Sequence, residues 1–230
     1  MMRTPSLISL TFLCGLCGCG PEHALDDREA QPDQDMSFDR LYRKNCSGCH
    51  GGNGSGGPAL DLDNPAYQAL IDDDSLKKWI VHGRPGSQMP AFGEAAGGLL
   101  TEKQIDALVL GIRKKWGTNL PNVEDAPPYA PDVTGSATRG DALFQAACAS
   151  CHGELRHRVT DTTYLALVSN QALRTIIIAG RPDLGHPGCR ELADRGHRLT
   201  NHEVADLVAY LDSLRSATPG EPYPRSNIER

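Results

Sequence analysis

Aromatic side chains are scarce: they make up 5% of the 230 residues, with two Trp and four Phe. So little aromatic mass points to small units that rely on something besides side chains to fill their cores. Methionine is nearly absent from the body of the chain, where Met89 is the only one after Met36. No lysine follows Lys115. No alternating strand pattern stands out, which argues against a β architecture. After the first few residues, no apolar run approaches the ~20 residues that cross a bilayer. Positive charge is not in excess either. The net charge is −6, and it is concentrated in residues 20–36 and in a few acids between 117 and 137. Neither remaining block is basic, which excludes a nucleic-acid partner.

Cysteine, by contrast, is abundant, with eight residues. Three fall in the opening "MMRTPSLISLTFLCGLCGCG", where one Arg precedes an apolar run from Leu7 to Leu16 and then small residues. This is the pattern of a secretory signal over 1–18, too short in its apolar part for a membrane helix. "LCGC", Leu16 to Cys19, resembles the lipobox of bacterial lipoproteins. That resemblance implies a lipidated Cys19 as first mature residue; an ordinary signal peptide is the alternative. Residues 19–36 are acidic and without apolar periodicity, so they are expected to form a disordered tether. Residues 117–137 are rich in Pro and acids and read as a linker. The segment 217–230 reads as a disordered tail. Two folded blocks remain, 37–116 and 138–216.

The blocks repeat one another. "YQALIDDDSLKKWIVHGRP", 67–85, aligns without a gap with "YLALVSNQALRTIIIAGRP", 164–182. "FDRLYRKNC" matches "GDALFQAAC", and "LLTEKQIDALVLGI" matches "RLTNHEVADLVAYL". A duplication is the simplest account. Each element reads as helix or loop. Leu76, Trp79 and Ile80 keep helical spacing, as do Leu173, Ile176 and Ile177. Thr101 with Gln104, and Thr200 with Glu203, predict capping boxes at the start of each last helix. The run "TIIIA", 175–179, would suit a strand alone, but its partner "KKWIV" argues helix.

Each block also holds a Cys-x-x-Cys-His motif: "CSGCH" at 46–50 and "CASCH" at 148–152. Two thiols a helical turn apart suit the two vinyl groups of a porphyrin, and the adjacent imidazole then lies under the iron. Zinc would want four ligands, and neither block offers a second Cys pair. A disulfide would leave the repeated histidine unexplained. The motifs therefore predict covalent haem at both sites, and haem supplies the core that aromatics do not.

From these motifs, with "GRPGSQMPAF" and "LLTEKQIDALVLGI", the chain resembles the class I c-type cytochromes in tandem dihaem form. The resemblance covers about 37–216 and implies an all-α fold of two cytochrome c domains. In the first domain it implies thioethers at Cys46 and Cys49, His50 as proximal ligand and Met89 as distal ligand. Pro58 matches the proline whose carbonyl accepts the proximal imidazole N–H. Arg84 would face a haem propionate or solvent, and Arg181 is its counterpart in the second domain. His82 has no family role. In the second domain Cys148, Cys151 and His152 are intact, but His186 stands where Met89 stands in the first. His186 is the expected distal ligand, with His157, His197, His202, Cys189 or an open site as alternatives. Proximal support is less defined here, since no proline matches Pro58. Cys189 is left over once signal, lipid and haem are assigned, and reads as a buried small hydrophobe or a group near the iron.

Together these features predict a lipid-anchored dihaem cytochrome c on the outer face of a bacterial inner membrane, carrying electrons between redox partner proteins. One alternative is a haem enzyme, thiosulfate dehydrogenase-like or peroxidase-like, using the second haem. The other is an electron-entry subunit of an oxidase or quinol-oxidising complex.

Overall fold

The computed structural model describes residues 32–153, 159–194, 196 and 198–216. The expected signal segment with Cys19, the C-terminal tail, His157 and His197 lie outside the described residues. All the regular structure described is helical: five α-helices in the first repeat and six in the second. The first repeat runs α1 (Phe38–Asn45), α2 (Ser47–His50), α3 (Pro65–Leu70), α4 (Asp73–His82) and α5 (Glu102–Trp116). The second runs α6 (Ala137–Ala147), α7 (Ala149–His152), α8 (Thr162–Leu167), α9 (Asn170–Ala179), α10 (Cys189–Asp194) and α11 (Asn201–Ser213). The run 175–179 is helical, inside α9. Only α10 lacks an α-helical counterpart in the first repeat, where a single 3-10 turn, Glu94–Ala96, precedes the last helix.

Local chemistry sets these boundaries. Thr101 and Thr200 each accept the N–H three residues on, while Gln104 and Glu203 reach back to the Thr N–H. Both capping boxes therefore satisfy two otherwise orphaned donors apiece. Behind them, Ile105, Leu108 and Ile112 of α5, and Val204, Leu207 and Leu211 of α11, form buried stripes. Each stripe packs on the first helix of its own repeat. The contact is close enough to need glycine: a Cβ on Gly111 would meet the Phe38 ring, and one on Gly140 the Asp206 carbonyl. The few aromatics gather here, with Phe38, Tyr42 and Trp116 in mutual ring contact at 5.2–5.9 Å.

The expected tether is shorter than residue 36. From Pro32 the chain lies against α5, whose buried Gln104 amide donates to the carbonyls of Pro32 and Asp35. Asp35 is itself buried, accepting from Ser37 N–H and from the Arg40 guanidinium at 2.8–2.9 Å. The second repeat reaches the same end by another route. Ser136 N–H and Arg139 bind Asp206, which belongs to α11. A composition rule sees acids in a polar segment; it does not see that one of them finds a guanidinium five residues on.

These two carboxylates are expected to make the fold acid-sensitive. The Arg40 and Arg139 guanidinium hydrogen bonds hold Asp35 and Asp206 below the usual carboxylate range. Folded values below unfolded ones mean a contribution present above about pH 4 and lost as pH falls further. Both guanidiniums are half-exposed, which keeps the size modest. Thermal unfolding of Asp206→Asn should show a lower midpoint at pH 7 and a shallower decline between about pH 5 and pH 2 than wild type. An unchanged acid slope would remove Asp206 as its source.

The repeats dock through α3 and the end of α9. Asn64 caps α3, accepting from Ala66 and Tyr67 N–H, and its amide donates to the carbonyls of Ala179 and Gly180 at 3.1 and 3.2 Å. The linker is built into this contact. Tyr129 is buried in the first repeat's core beside Tyr67, while its own carbonyl and that of Pro128 accept from Gln171 and Arg174 of α9.

Candidate haem sites

Each motif sits on one short turn that continues its repeat's first helix. Cys46 and Cys148 cap both segments, and His50 and His152 end the turns. All four motif thiols are free. Burial raises Cys46 to about 12 and pushes Cys148 up as well. Among the described residues no cluster of His, Cys, Asp and Glu has a metal-site arrangement of its own.

His50 Nδ1 lies 2.7 Å from the Leu60 carbonyl. This bond fixes the ring and leaves Nε2 for a metal. The acceptor is Leu60, two residues beyond the expected Pro58. The loop takes left-handed turns at Gly51, Gly54 and Gly56, and Ala59 N–H bonds back to the Cys49 carbonyl at 2.9 Å. That path carries the chain past Pro58 before a carbonyl faces the imidazole. Burial, with the charges of Arg84 and Arg181, keeps His50 below its ordinary value, hence neutral at pH 7.

The loops that carry Met89 and His186 have the same build. Gly83 and Gly180 both take positive φ, and a Cβ on either would strike the returning strand of the loop. Arg84 N–H donates to the Met89 carbonyl, and Arg181 N–H to the His186 carbonyl, each at 3.0 Å. Met89 and His186 therefore occupy equivalent places three-dimensionally as well as in sequence. Met89 packs against the first core. The His186 ring centroid lies 5.6 Å from that of His152, with the planes at 40°. Two imidazoles on opposite sides of one metal, with bonds of ~2 Å, have centroids about 6 Å apart. Burial and the neighbouring His152 push His186 below its ordinary value, and its Nδ1 is buried without a partner.

The remaining candidates separate by position. His82 and His202 are exposed at a helix end and a helix start. Cys189 is buried, donates towards the Ile177 carbonyl at 3.5 Å and is pushed up to about 12 by desolvation. It occupies the place of Phe92, whose N–H bonds the equivalent Ile80 carbonyl. Arg84 is not in solvent. It is buried, lies 4.7 Å from the Trp79 ring and donates to the Tyr129 hydroxyl, yet its Nη1 has no partner. Trp79 Nε1 is a second orphan donor nearby. A buried guanidinium with one nitrogen unpaired, beside an indole N–H that has no hydrogen bond, fits an anionic group such as a haem propionate. Tyr129 and Trp79 were not legible as site residues; the orphaned donors are the signal that finds them.

The profile of the family described as cytochrome C oxidase, cbb3-type, subunit III matches residues 33–110 and again 135–211. The chain belongs to this family. Its two repeats are tandem cytochrome c domains, which imply haem c. The chain is 31% identical over 122 residues to the cbb3-type cytochrome c oxidase subunit FixPc of Rhizobium leguminosarum bv. viciae, covering 49% of this chain and 37% of that protein. It is 30% identical over 141 residues to FixP of Azorhizobium caulinodans, covering 56% and 43%. Cytochrome c55X of Stutzerimonas stutzeri is 35% identical over 79 residues, covering 34% of this chain and 64% of that one. The matches thus span less than half the length of the FixP proteins.

Proposed function

We propose that the chain is a dihaem c-type cytochrome that passes electrons between respiratory redox partners. The equivalence of the two loops carries this reading, since the loop of the second domain sets His186 beside His152 and the loop of the first holds Met89 at the matching place. Haem supplies the one-electron chemistry when bound. The chain's residues do the rest. Cys46, Cys49, Cys148 and Cys151 hold it covalently, His50 with Met89 ligates one iron, and His152 with His186 the other. Leu60 orients His50, the Arg84 guanidinium would neutralise a haem propionate, and the Trp79 N–H would donate a hydrogen bond to it. A filled ligand set at both irons suits electron transfer without bond chemistry, and the closeness of His186 to His152 weighs against an open, substrate-binding iron.

The FixP relatives carry the name of a cbb3-type oxidase subunit, which favours one narrower reading: electron entry into a terminal oxidase. Cys19 as lipid anchor would place the chain on the outer face of the bacterial inner membrane; among the described residues no helix is long and apolar enough to cross a membrane.

The test is one preparation from cells with the haem-attachment machinery. Denatured protein should carry the added mass of two haems, and the native protein should sediment with membranes until Cys19→Ala releases it. One haem or none would defeat the dihaem reading. An unchanged membrane fraction for Cys19→Ala would defeat the anchor alone. Integral-membrane oxidase subunits co-purifying in mild detergent would support the electron-entry reading.

A further inference from the structure

The two repeats place an arginine at the same point of the same loop, and the two arginines keep different company. Arg84 meets no carboxylate among the described residues. Arg181, equally buried, lies between two. Its Nε is 3.1 Å from Asp61 Oδ2 and 2.9 Å from Asp183 Oδ1, and its Nη2 is 2.7 Å from Asp183 Oδ2. The same Nη2 donates to the Gly57 carbonyl at 3.2 Å. Gly57 and Asp61 belong to the first domain. Arg181 and Asp183 belong to the second. The position aligned with Asp183 is Gly86, so the duplication alone does not supply this cluster.

Its place matters more than its charge. Asp61 follows Leu60, whose carbonyl holds His50. Arg181 and His186 exchange both backbone hydrogen bonds, each at 3.0 Å. One short line of bonded groups therefore runs from the His50 ring to the His186 backbone: Leu60 carbonyl, Asp61 carboxylate, Arg181 guanidinium, Arg181 N–H. A buried ion cluster adds little net stability, because desolvation offsets the attraction; its best-attested use is to fix register. Here the register fixed is that of one ligand loop against the other domain's proximal loop. Asp61 shows the cost of the arrangement: Oδ1 is buried without a partner, and burial with the Asp183 carboxyl pushes it up to about 6.

We propose that Arg181 is a positioning residue that locks the His186 loop onto the His50 loop through Asp61 and Gly57, so that electrons pass between the two haem sites within one chain. This inference rests on the dihaem reading above. The step moves one electron from the ferrous site of one domain to the ferric site of the other, with no proton or bond change.

The full haem-loaded chain is compared with Arg181→Ala, Arg181→Lys and Asp61→Asn. A pulse reductant injects one electron per chain, and its redistribution between the two haem spectra is timed. Small-angle scattering gives the radius of gyration of each protein. Arg181→Ala should slow redistribution about tenfold or more, as small displacements of positioned groups do, and should enlarge the particle. Asp61→Asn, which keeps its shape and leaves Arg181 with Asp183, should show a smaller effect in the same direction and guards against misfolding of the first variant. Arg181→Lys should restore part of the rate. Wild type with fewer than two haems would overturn the functional reading and this inference with it. Variants that hold two haems and exchange at the wild-type rate, even if they melt lower, would overturn the inference alone.

Discussion

His186→Ala is expected to convert one of two low-spin haems to a high-spin form and to admit carbon monoxide to half of the reduced haem, where wild type admits none. The reasons are geometric. His186 stands across from His152 at near the spacing of two imidazoles on one metal. Its loop is pinned at Arg181 whichever side chain it carries, so the backbone should survive the change. Among the described residues no neighbour is poised to fill in. Cys189 is buried towards the Ile177 carbonyl and retains its proton up to about 12, and His202 is exposed on α11. His186→Met should return the site to low spin with a raised potential, since the equivalent loop of the first domain presents Met89 from the same place. A wild type that already shows a high-spin haem, or that binds exogenous ligands at neutral pH, would count against His186 and bring the enzyme reading forward.

Met89→His should pull down the upper of two redox waves. A thioether favours ferrous iron, and a second imidazole stabilises ferric iron instead. The domains thus begin unequal, with the first expected at the higher potential. The shift on Met89→His should be on the order of 0.1 V or more, a fraction of the ~0.8 V that axial ligation spans. A potentiometric titration followed at the haem bands reads it. If the lower wave moves instead, the first domain is not the higher-potential one.

What is local or repeated was legible in the order of the residues. Two Cys-x-x-Cys-His turns mark where haem would attach, because two thiols and an imidazole must fall within one turn. Helical periodicity fixes the faces of α5 and α11, and Thr101 and Thr200 fix their starts, because a cap acts over three residues. The ungapped duplication fixes that His186 stands where Met89 does. The path of a glycine-rich loop is not written in spacing: three left-handed turns take the chain to Leu60 rather than Pro58 as the acceptor for His50. Nor is docking. Asn64 meets Ala179 115 residues away, Arg181 meets Asp61 120 residues away, and Tyr129 leaves the linker for the first domain's core. Such contacts have no period and no motif. They exist only after each domain has folded and presents a surface, and burial then decides which acids and guanidiniums must pair. The tertiary structure alone therefore decided that Arg84 and Arg181, aligned and alike in sequence, do different work.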